Sequence, residues 1–187
     1  MAENTKTDYG KFDKFIHWLM ALNIILTLIF ARGMSELPFP ERLHEYGDHG
    51  LSVTTIMICL IIRAGWRIKE GFAVLPPSMT DLQVKAAKAV HYGLYGALFA
   101  QVAVGVFLAS TTEKAFVAKG YNIDYSSFNL APDSMYETLL SFHQTIYWSI
   151  IALLVLHIGA ALKHHFVDRD NVLRRMLPFV KPRIEKD

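Results

Sequence analysis

Two histidines, His143 and His157, lie fourteen positions apart, and the segment between them, Gln144 to Leu156, is almost entirely apolar (QTIYWSIIALLVL). Fourteen residues of α-helix make nearly four whole turns, so both imidazoles lie on one helix face, roughly 21 Å apart along the axis. A helix this apolar is typical of a bilayer span. Ionisable groups inside a membrane are costly and usually functional, and imidazole is a common axial ligand of haem iron. The spacing therefore indicates two haem sites at different depths of one membrane helix.

Three further windows of the sequence also carry almost no charge, so four membrane-spanning helices are predicted. They are placed at about residues 14–32, 48–68, 85–110 and 136–166. The second window is short because Arg63 interrupts it. Its helix is long enough to cross the bilayer if Arg63 and Arg67 snorkel or bind an anionic group. With 187 residues, 52% of them hydrophobic, the chain is predicted to be one all-α domain over residues 1–187, an integral membrane four-helix bundle.

The basic residues predict the orientation of the bundle. The N-terminal tail, the second connection and the C-terminal tail hold 15 Lys and Arg residues, whereas the first and third connections hold 4. Because cytoplasmic connections keep the excess of basic residues, both termini are predicted to be cytoplasmic. The net charge of +2 reflects this asymmetry and gives no support for nucleic-acid binding. The first apolar run is long and contains His17 and Asn23, so we expect a retained helix rather than a cleaved signal peptide.

Cysteine usage restricts the kind of haem protein that the chain could be. Cys59 is the sole cysteine, so no disulfide framework, CxxC metal site or CxxCH haem-attachment motif exists. Any haem is therefore non-covalent.

The depth of each histidine in the predicted bundle suggests which ones face each other. His49 begins the second helix on the outer side and matches His143 in depth. On the inner side, His157 pairs with either His17 or His91, and depth alone leaves this choice open. A four-helix bundle can place two imidazoles from facing helices on opposite sides of a planar haem. A single interfacial histidine is more often a hydrogen-bonding group, but matched pairs at two depths favour ligation.

Two histidines receive other roles. His44 lies in a polar loop and is expected to be solvated or hydrogen-bonded. His164 lies seven residues beyond His157, near the predicted cytoplasmic headgroups. There it could hydrogen-bond a quinone carbonyl or move a proton, or it could simply be a membrane-surface histidine beside Lys163.

The C-terminal run HIGAALKHHFVDRDNVLRRMLP, the IHW at Ile16 to Trp18 and the SFHQTIYW around His143 together resemble the bacterial cytochrome b561 family. Its members are four-helix inner-membrane proteins with two b haems, and the resemblance covers all four helices. It implies that His17 and His157 ligate one haem and that His49 and His143 ligate the other. It also implies a multi-pass protein of the bacterial inner membrane.

One position departs from the family pattern. A glycine often follows the helix-two histidine by four positions, but here Val53 stands there and Gly50 follows His49 directly. This departure bears on the packing beside that haem rather than on its ligation.

The small single-subunit members that this chain resembles are superoxide oxidases. This resemblance implies a superoxide:ubiquinone oxidoreductase that takes electrons on the periplasmic side and passes them to ubiquinone on the cytoplasmic side, with His164 and Lys163 at the quinone. The outer loops hold eight acidic and four basic residues, a weak field for attracting an anion, although Arg32, Lys114 or Lys119 could form a local basic patch.

Two alternatives belong to other functional classes. The chain could be a membrane cytochrome b subunit that links a dehydrogenase or another redox protein to the quinone pool, with the long connection from Thr111 to Pro132 as a lid, cap or docking surface. It could also be a histidine-lined transporter or a structural bundle without haem. Membrane lipid is expected around the chain in every case.

Overall fold

Four long helices form the protein. The structure is a computed structural model that describes residues 8–38, 41–71, 73–77, 79–112 and 115–182. The helices are α1 (Lys11–Phe30), α2 (Glu41–Glu70), α3 (Asp81–Ala109) and α4 (Tyr136–Lys163). All four are long and apolar enough to cross a membrane, so the predicted all-α bundle with four candidate membrane helices is confirmed. Lys114, named in the predicted basic patch, lies outside the described residues.

α2 and α3 begin earlier than the charge pattern predicted, because polar residues continue the helices beyond their apolar windows. α2 begins at Glu41, seven residues before its predicted start at about residue 48. α3 begins after Thr80, whose hydroxyl accepts a hydrogen bond from the Gln83 backbone while the Gln83 side chain accepts one from the Thr80 backbone. This reciprocal capping box satisfies two backbone donors at the helix start.

The helices pack as two neighbouring pairs around an apolar core. α1 packs mainly against α2, and α3 packs mainly against α4, with α2 also contacting α3. All four helices contribute side chains to this core, and the buried members are Ile16, Met20, Ile24, Ile56, Cys59, Leu60, Leu98 and Ile150. Most other apolar side chains of the helices face outward, as expected for a bundle surrounded by lipid.

The long third connection folds against the bundle. It contains a two-stranded antiparallel hairpin of β1 (Val117–Ala118) and β2 (Ile123–Asp124), in which Val117 pairs with Asp124. Gly120 and Asn122 adopt the left-handed conformation that a tight turn between the strands requires. We call residues 115–132 the cap, and the end of the bundle that carries it the hairpin end.

The opposite end, where α1 begins and α4 ends, is called the tail end. After Lys163 the chain continues as a π-helical turn, His164–Asp168, and Arg169 then reverses its direction in the left-handed conformation. The segment that follows contacts α1, because the Trp18 indole N–H donates to the Met176 carbonyl at 2.8 Å. The C-terminal segment thus packs against the tail end of the bundle.

Candidate functional site

His49 and His143 face each other at the hairpin end. His49 lies on α2 and His143 on α4, and their ring centres are 6.4 Å apart. Both side chains line an interior cavity of about 430 Å³, a volume within the range of about 300–1,000 Å³ that is usual for small-molecule and cofactor sites. Leu98, Val102 and Gly105 of α3 form part of its mostly apolar wall.

Three imidazoles meet at the tail end. The ring centres of His17, on α1, and His157, on α4, are 6.2 Å apart. The ring centre of His91, on α3, is closer to that of His157, at 5.2 Å. The His91 Nδ1 atom is hydrogen-bonded to the Ala87 carbonyl of its own helix at 2.6 Å. The structure therefore brings together both candidates that the depth of the histidines left open.

The distances between ring centres decide which pairs fit a shared metal ion. An imidazole nitrogen bonds a metal ion at about 2.0 Å and the ring centre lies roughly 1.1 Å behind it, so two opposed ligands have ring centres about 6.2 Å apart. The pairs His17–His157 and His49–His143 match this distance, whereas the 5.2 Å of His91–His157 is too short. The residues therefore fit two bis-histidine haem sites, one at each end.

Three of the four histidines in these pairs have a buried ring nitrogen without a hydrogen-bond partner in the described chain. The Nδ1 atoms of His17, His49 and His143 are buried and have no hydrogen-bond partner within the described part of the chain. The Gln101 backbone lies close to the His143 ring. A buried, unpaired imidazole nitrogen costs free energy unless the ring gains another strong interaction. A bond to iron would satisfy the ring nitrogen that forms it.

Gly105 sets how closely α3 approaches His143. A Cβ added at position 105 would lie 3.1 Å from the His143 Cε1 atom, closer than ordinary contact, so α3 and the imidazole meet here because the side chain is absent. The expectation from sequence concerned Gly50 instead. A Cβ at Gly50 would lie 2.8 Å from the Ala118 Cα, so this glycine allows the cap, rather than a cofactor, to contact α2 beside His49.

The cap covers His49. The Lys119 backbone N–H donates to the Gly47 carbonyl at 3.0 Å, and the Tyr125 hydroxyl is hydrogen-bonded to Thr54 at 2.8 Å. The Phe116 ring points edge-on toward His49, with ring centres 6.5 Å apart. Aromatic side chains of the cap therefore close part of the hairpin-end cavity.

A buried charged cluster lies beside the tail-end histidines. Arg63 and Arg67 are both buried, so neither reaches outward to the membrane surface. Arg67 forms a 3.1 Å ion pair with Asp13, and the Arg63 guanidinium donates to the Asp13 backbone carbonyl at 3.3 Å. Among the described residues Asp13 is the one buried acidic side chain against these two guanidinium groups, so the cluster carries excess positive charge.

This excess charge is close to the three tail-end imidazoles. Arg63 lies within electrostatic range of His17, His91 and His157. The Tyr95 hydroxyl lies within electrostatic range of Arg63. It is buried and has no hydrogen-bond partner in the described chain. An anionic group such as a carboxylate would pair with Arg63 and with the Tyr95 hydroxyl. Sequence reasoning had left Arg63 as either a snorkelling or an anion-binding residue.

The structure places the two predicted quinone residues at the end of α4. His164 is buried, and its Nδ1 lies 2.6 Å from Asp170 and 3.2 Å from Asp168. The Lys163 ammonium contacts both carboxylate oxygens of Asp168, at 2.6 and 2.8 Å. His44, expected to be solvated, is exposed and contacts Asp48 at 3.2 Å.

Sequence reasoning missed Asp13, Tyr95, Gly105 and Asp170. One signal pointed to Asp13, because two arginines four positions apart in an apolar helix require an acidic partner, and Asp13 begins the neighbouring helix. The other three depend on packing between elements, for which the sequence carries no local signal.

The chain is similar to known proteins over most of its length. Residues 8–179 match the family model described as prokaryotic cytochrome b561. The chain is 31% identical to cytochrome b561 homolog 2 of Escherichia coli (strain K12), with 93% of each chain covered. It is 30% identical to cytochrome b561 homolog 1 of the same strain, covering 91% of this chain and 97% of the homolog. A protein of Yersinia pestis described as probable superoxide oxidase CybB is 26% identical over 87% of this chain and 92% of its own length.

Proposed function

The chain belongs to the prokaryotic cytochrome b561 family, and from this premise we propose that its membrane electron transfer runs from superoxide at the hairpin end to ubiquinone at the tail end. Two superoxide anions would each give up one electron and leave as O₂, and one ubiquinone would take up two electrons and two protons. The 26% identity to a probable superoxide oxidase supports this choice of donor. The single observation that carries the proposal is the pair of opposed histidines at each end of one apolar bundle.

Two b haems would be held by His49 with His143 and by His17 with His157. When bound, haem iron supplies the one-electron chemistry that amino-acid side chains lack. Arg63 would pair with a haem carboxylate at the tail end, where the buried cluster has excess positive charge. The apolar walls of the bundle would keep water away from both sites. No general-base or nucleophile triad is required for this reaction.

The surroundings of the hairpin-end cavity bear on how superoxide would enter. Arg32 and Glu36 both line the cavity, so an anion entering there would meet one guanidinium and one carboxylate. Lys119 contributes less to the attraction, because its ammonium is paired with Asp48 at 2.7 Å. The basic patch expected from the sequence is thus reduced, among the described residues, to Arg32. We propose that Arg32 attracts superoxide to this cavity.

The tail end is proposed as the ubiquinone site. His164 could donate a hydrogen bond to a quinone carbonyl, and the neighbouring Lys163 ammonium would add a second donor. The 15 to 4 bias of basic residues supports a cytoplasmic tail end, with both termini in the cytoplasm and the bundle in the bacterial inner membrane. Protons for the quinone would then come from the cytoplasmic side.

Stopped-flow spectroscopy tests the proposal directly. Purified, oxidised protein is mixed with potassium superoxide, with and without ubiquinone-1, and haem absorbance is followed. We expect rapid haem reduction that superoxide dismutase prevents, and reoxidation when ubiquinone-1 is present. Haems that superoxide does not reduce would exclude this donor, and reduced haems that ubiquinone-1 does not reoxidise would exclude this acceptor.

A second function is favoured by the surface of the cap. Tyr121, Phe128 and Leu130 are exposed there, and exposed apolar side chains grouped on a loop region are typical of protein contacts. In this alternative the chain is a cytochrome b subunit that receives electrons from a redox protein docked on the cap. Purification under mild conditions separates the two functions, since a co-purifying redox protein that reduces the haems would favour the subunit and full superoxide activity of the lone chain would oppose it.

A further inference from the structure

Asp170 returns to the end of α4 and contacts His164. The π-helical turn widens the last turn of the helix, and Arg169 reverses the chain, so the Asp170 backbone N–H donates to the His164 carbonyl at 3.1 Å. The two oxygens of the Asp170 carboxylate contact different partners. Oδ1 accepts the Val172 backbone N–H at 2.9 Å, and Oδ2 lies 2.6 Å from the His164 Nδ1 atom. Both side chains are only 11% exposed.

A carboxylate in this position fixes the protonation of the imidazole. It accepts the Nδ1–H hydrogen bond, so the proton of a neutral ring stays on Nδ1, and the other nitrogen, Nε2, is left to interact with a bound molecule. When both ring nitrogens carry a proton, the one on Nε2 is the proton that can be given to a bound molecule. Charge-assisted hydrogen bonds of this length are stronger than bonds between neutral groups.

Asp168 is a poorer partner for the same ring. Its Oδ2 atom lies 3.2 Å from Nδ1, its side chain is 28% exposed, and both of its oxygens contact the Lys163 ammonium. Asp168 and Asp170 both contact the His164 ring, and Lys163 is ion-paired with Asp168. Among them Asp170 has the short contact and the backbone support that a fixed orientation requires.

We propose that Asp170 is a positioning residue that holds His164 as the proton donor to ubiquinone. This inference rests on the proposed function, because it assumes that quinone binds beside His164. As the quinone gains its two electrons, the Nε2–H bond of His164 breaks and an O–H bond forms at one quinone oxygen. The imidazolium becomes a neutral imidazole, Asp170 stays ionised throughout, and water at the tail end returns the proton to Nε2. The second proton comes from the same aqueous phase, and superoxide is the reductant.

The substitution Asp170→Asn tests the proposal because the two oxygens of Asp170 have different partners. The amide oxygen of the new side chain would stay on the Val172 N–H, so its NH₂ group would face His164 and force Nδ1 to accept. The ring would then be held neutral with its proton on Nε2. It could still donate a hydrogen bond to quinone, but it would be a poor proton donor. We therefore expect the KM for ubiquinone-1 to be retained while kcat falls roughly tenfold or more.

The assay follows reoxidation of stoichiometrically reduced protein by ubiquinone-1, in H₂O and in D₂O. In Asp170→Asn, proton transfer should become rate-limiting, so the solvent isotope effect should rise, whereas haem content and reduction by superoxide should match the wild type. Asp168→Asn is the matched control, and its reoxidation should stay within about fivefold of wild type, as expected for a partly exposed ion pair. An equal loss in both variants would overturn the specific role of Asp170.

Two further variants keep the outcomes distinguishable. Asp170→Glu retains the carboxylate and should reoxidise faster than His164→Gln. If Asp170→Glu is as slow as His164→Gln while its haem spectrum is intact, the role of Asp170 is structural and the proposal fails. If His164→Gln itself reoxidises like wild type, the quinone placement fails together with the role of Asp170. If His164→Gln is slow but Asp170→Asn is unaffected, the quinone placement stands and the role of Asp170 alone is rejected.

Discussion

The imidazole of His157 has two imidazole neighbours, His17 and His91, at different distances. The His17 ring centre is 6.2 Å away and the His91 ring centre is 5.2 Å away. His91 also has a hydrogen-bond partner on its own helix, the Ala87 carbonyl. These contacts are the reason that His17, rather than His91, is the proposed partner of His157.

The first prediction separates ligands from neighbours. His143→Ala and His157→Ala should each remove one of two b haems, because each substitution deletes one axial ligand. His91→Ala should retain both. Haem per protein, measured as the pyridine haemochrome, checks this, and the exposed His44→Ala serves as the control for substitution itself. Loss of a haem in His91→Ala would reject the assignment of His17, and a colourless wild-type protein expressed with ample haem would reject haem binding altogether.

The second prediction concerns the contact between α3 and His143. In Gly105→Ala the new methyl group would lie 3.1 Å from Cε1 of His143, so the ring or the helix must move. Overpacking of this kind costs about 1–3 kcal/mol, which would weaken haem binding at the hairpin end roughly five- to 150-fold. The rate of haem transfer to excess apomyoglobin measures the loss. Gly96→Ala is the matched control on the same helix, since its Cβ would meet nothing within 4 Å, and an equal effect there would contradict the prediction.

The third prediction concerns the positive charge at the tail end. Arg63→Gln removes the guanidinium proposed to pair with a haem carboxylate, and a hydrogen bond to a charged group is worth about 1.5–3 kcal/mol. Haem at this site should therefore dissociate roughly tenfold faster or more. Wild-type protein loaded with haem dimethyl ester, which lacks the carboxylates, should lose its haem at a similarly raised rate. If the ester bound as tightly as haem b, the proposed partner of Arg63 would be wrong.

The fourth prediction concerns stability. Arg67→Gln leaves Asp13 without its 3.1 Å partner in a place where both side chains are at most 5% exposed. Removing one member of a buried ion pair costs about 3–5 kcal/mol, so the thermal transition should fall well below that of wild type. The double variant Asp13→Asn with Arg67→Gln should recover part of the loss, because the buried carboxylate that lost its ion pair is then neutral as well. A double variant less stable than Arg67→Gln would show that the cost has another origin. Circular dichroism in detergent measures both.

The fifth prediction concerns entry of the proposed donor. Arg32→Gln should slow haem reduction by superoxide, and added salt should slow the wild type toward the rate of the variant, because attraction by an exposed charge is screened. Lys119→Gln should have less effect, since Asp48 already pairs with that ammonium. Equal rates for Arg32→Gln and wild type at low salt would place superoxide entry elsewhere.

The sequence predicted the bundle because the information is local and repeated. Long uncharged windows identify helices, and a spacing of fourteen residues puts His143 and His157 on one face whatever surrounds them. Helix ends were predicted less well, because polar residues such as Glu41 and Gln83 continue or cap a helix without belonging to its apolar window.

The rest of the site depends on contacts between segments that are distant in the chain. Asp170 meets His164 because a π-helical turn precedes a left-handed residue, Arg169, and neither conformation is evident from composition. The closeness of Gly50 to Ala118 likewise depends on where the cap folds. The predicted depths match His157 with both His17 and His91. The ring-centre distances of these two residues from His157 differ by about one ångström, and only the three-dimensional structure shows that difference.

The ion pair between Asp13 and Arg67 also has a consequence for the biogenesis of the protein. Two of the arginines of α2, Arg63 and Arg67, are buried, and each would cost about 2.5–3.5 kcal/mol at the centre of a helix inserting alone into the bilayer. The carboxylate that offsets this cost stands at the start of α1, which leaves the ribosome first. Insertion of α1 and α2 together, as one helical hairpin in which Arg67 already has its ionic partner, is therefore favoured over insertion one helix at a time.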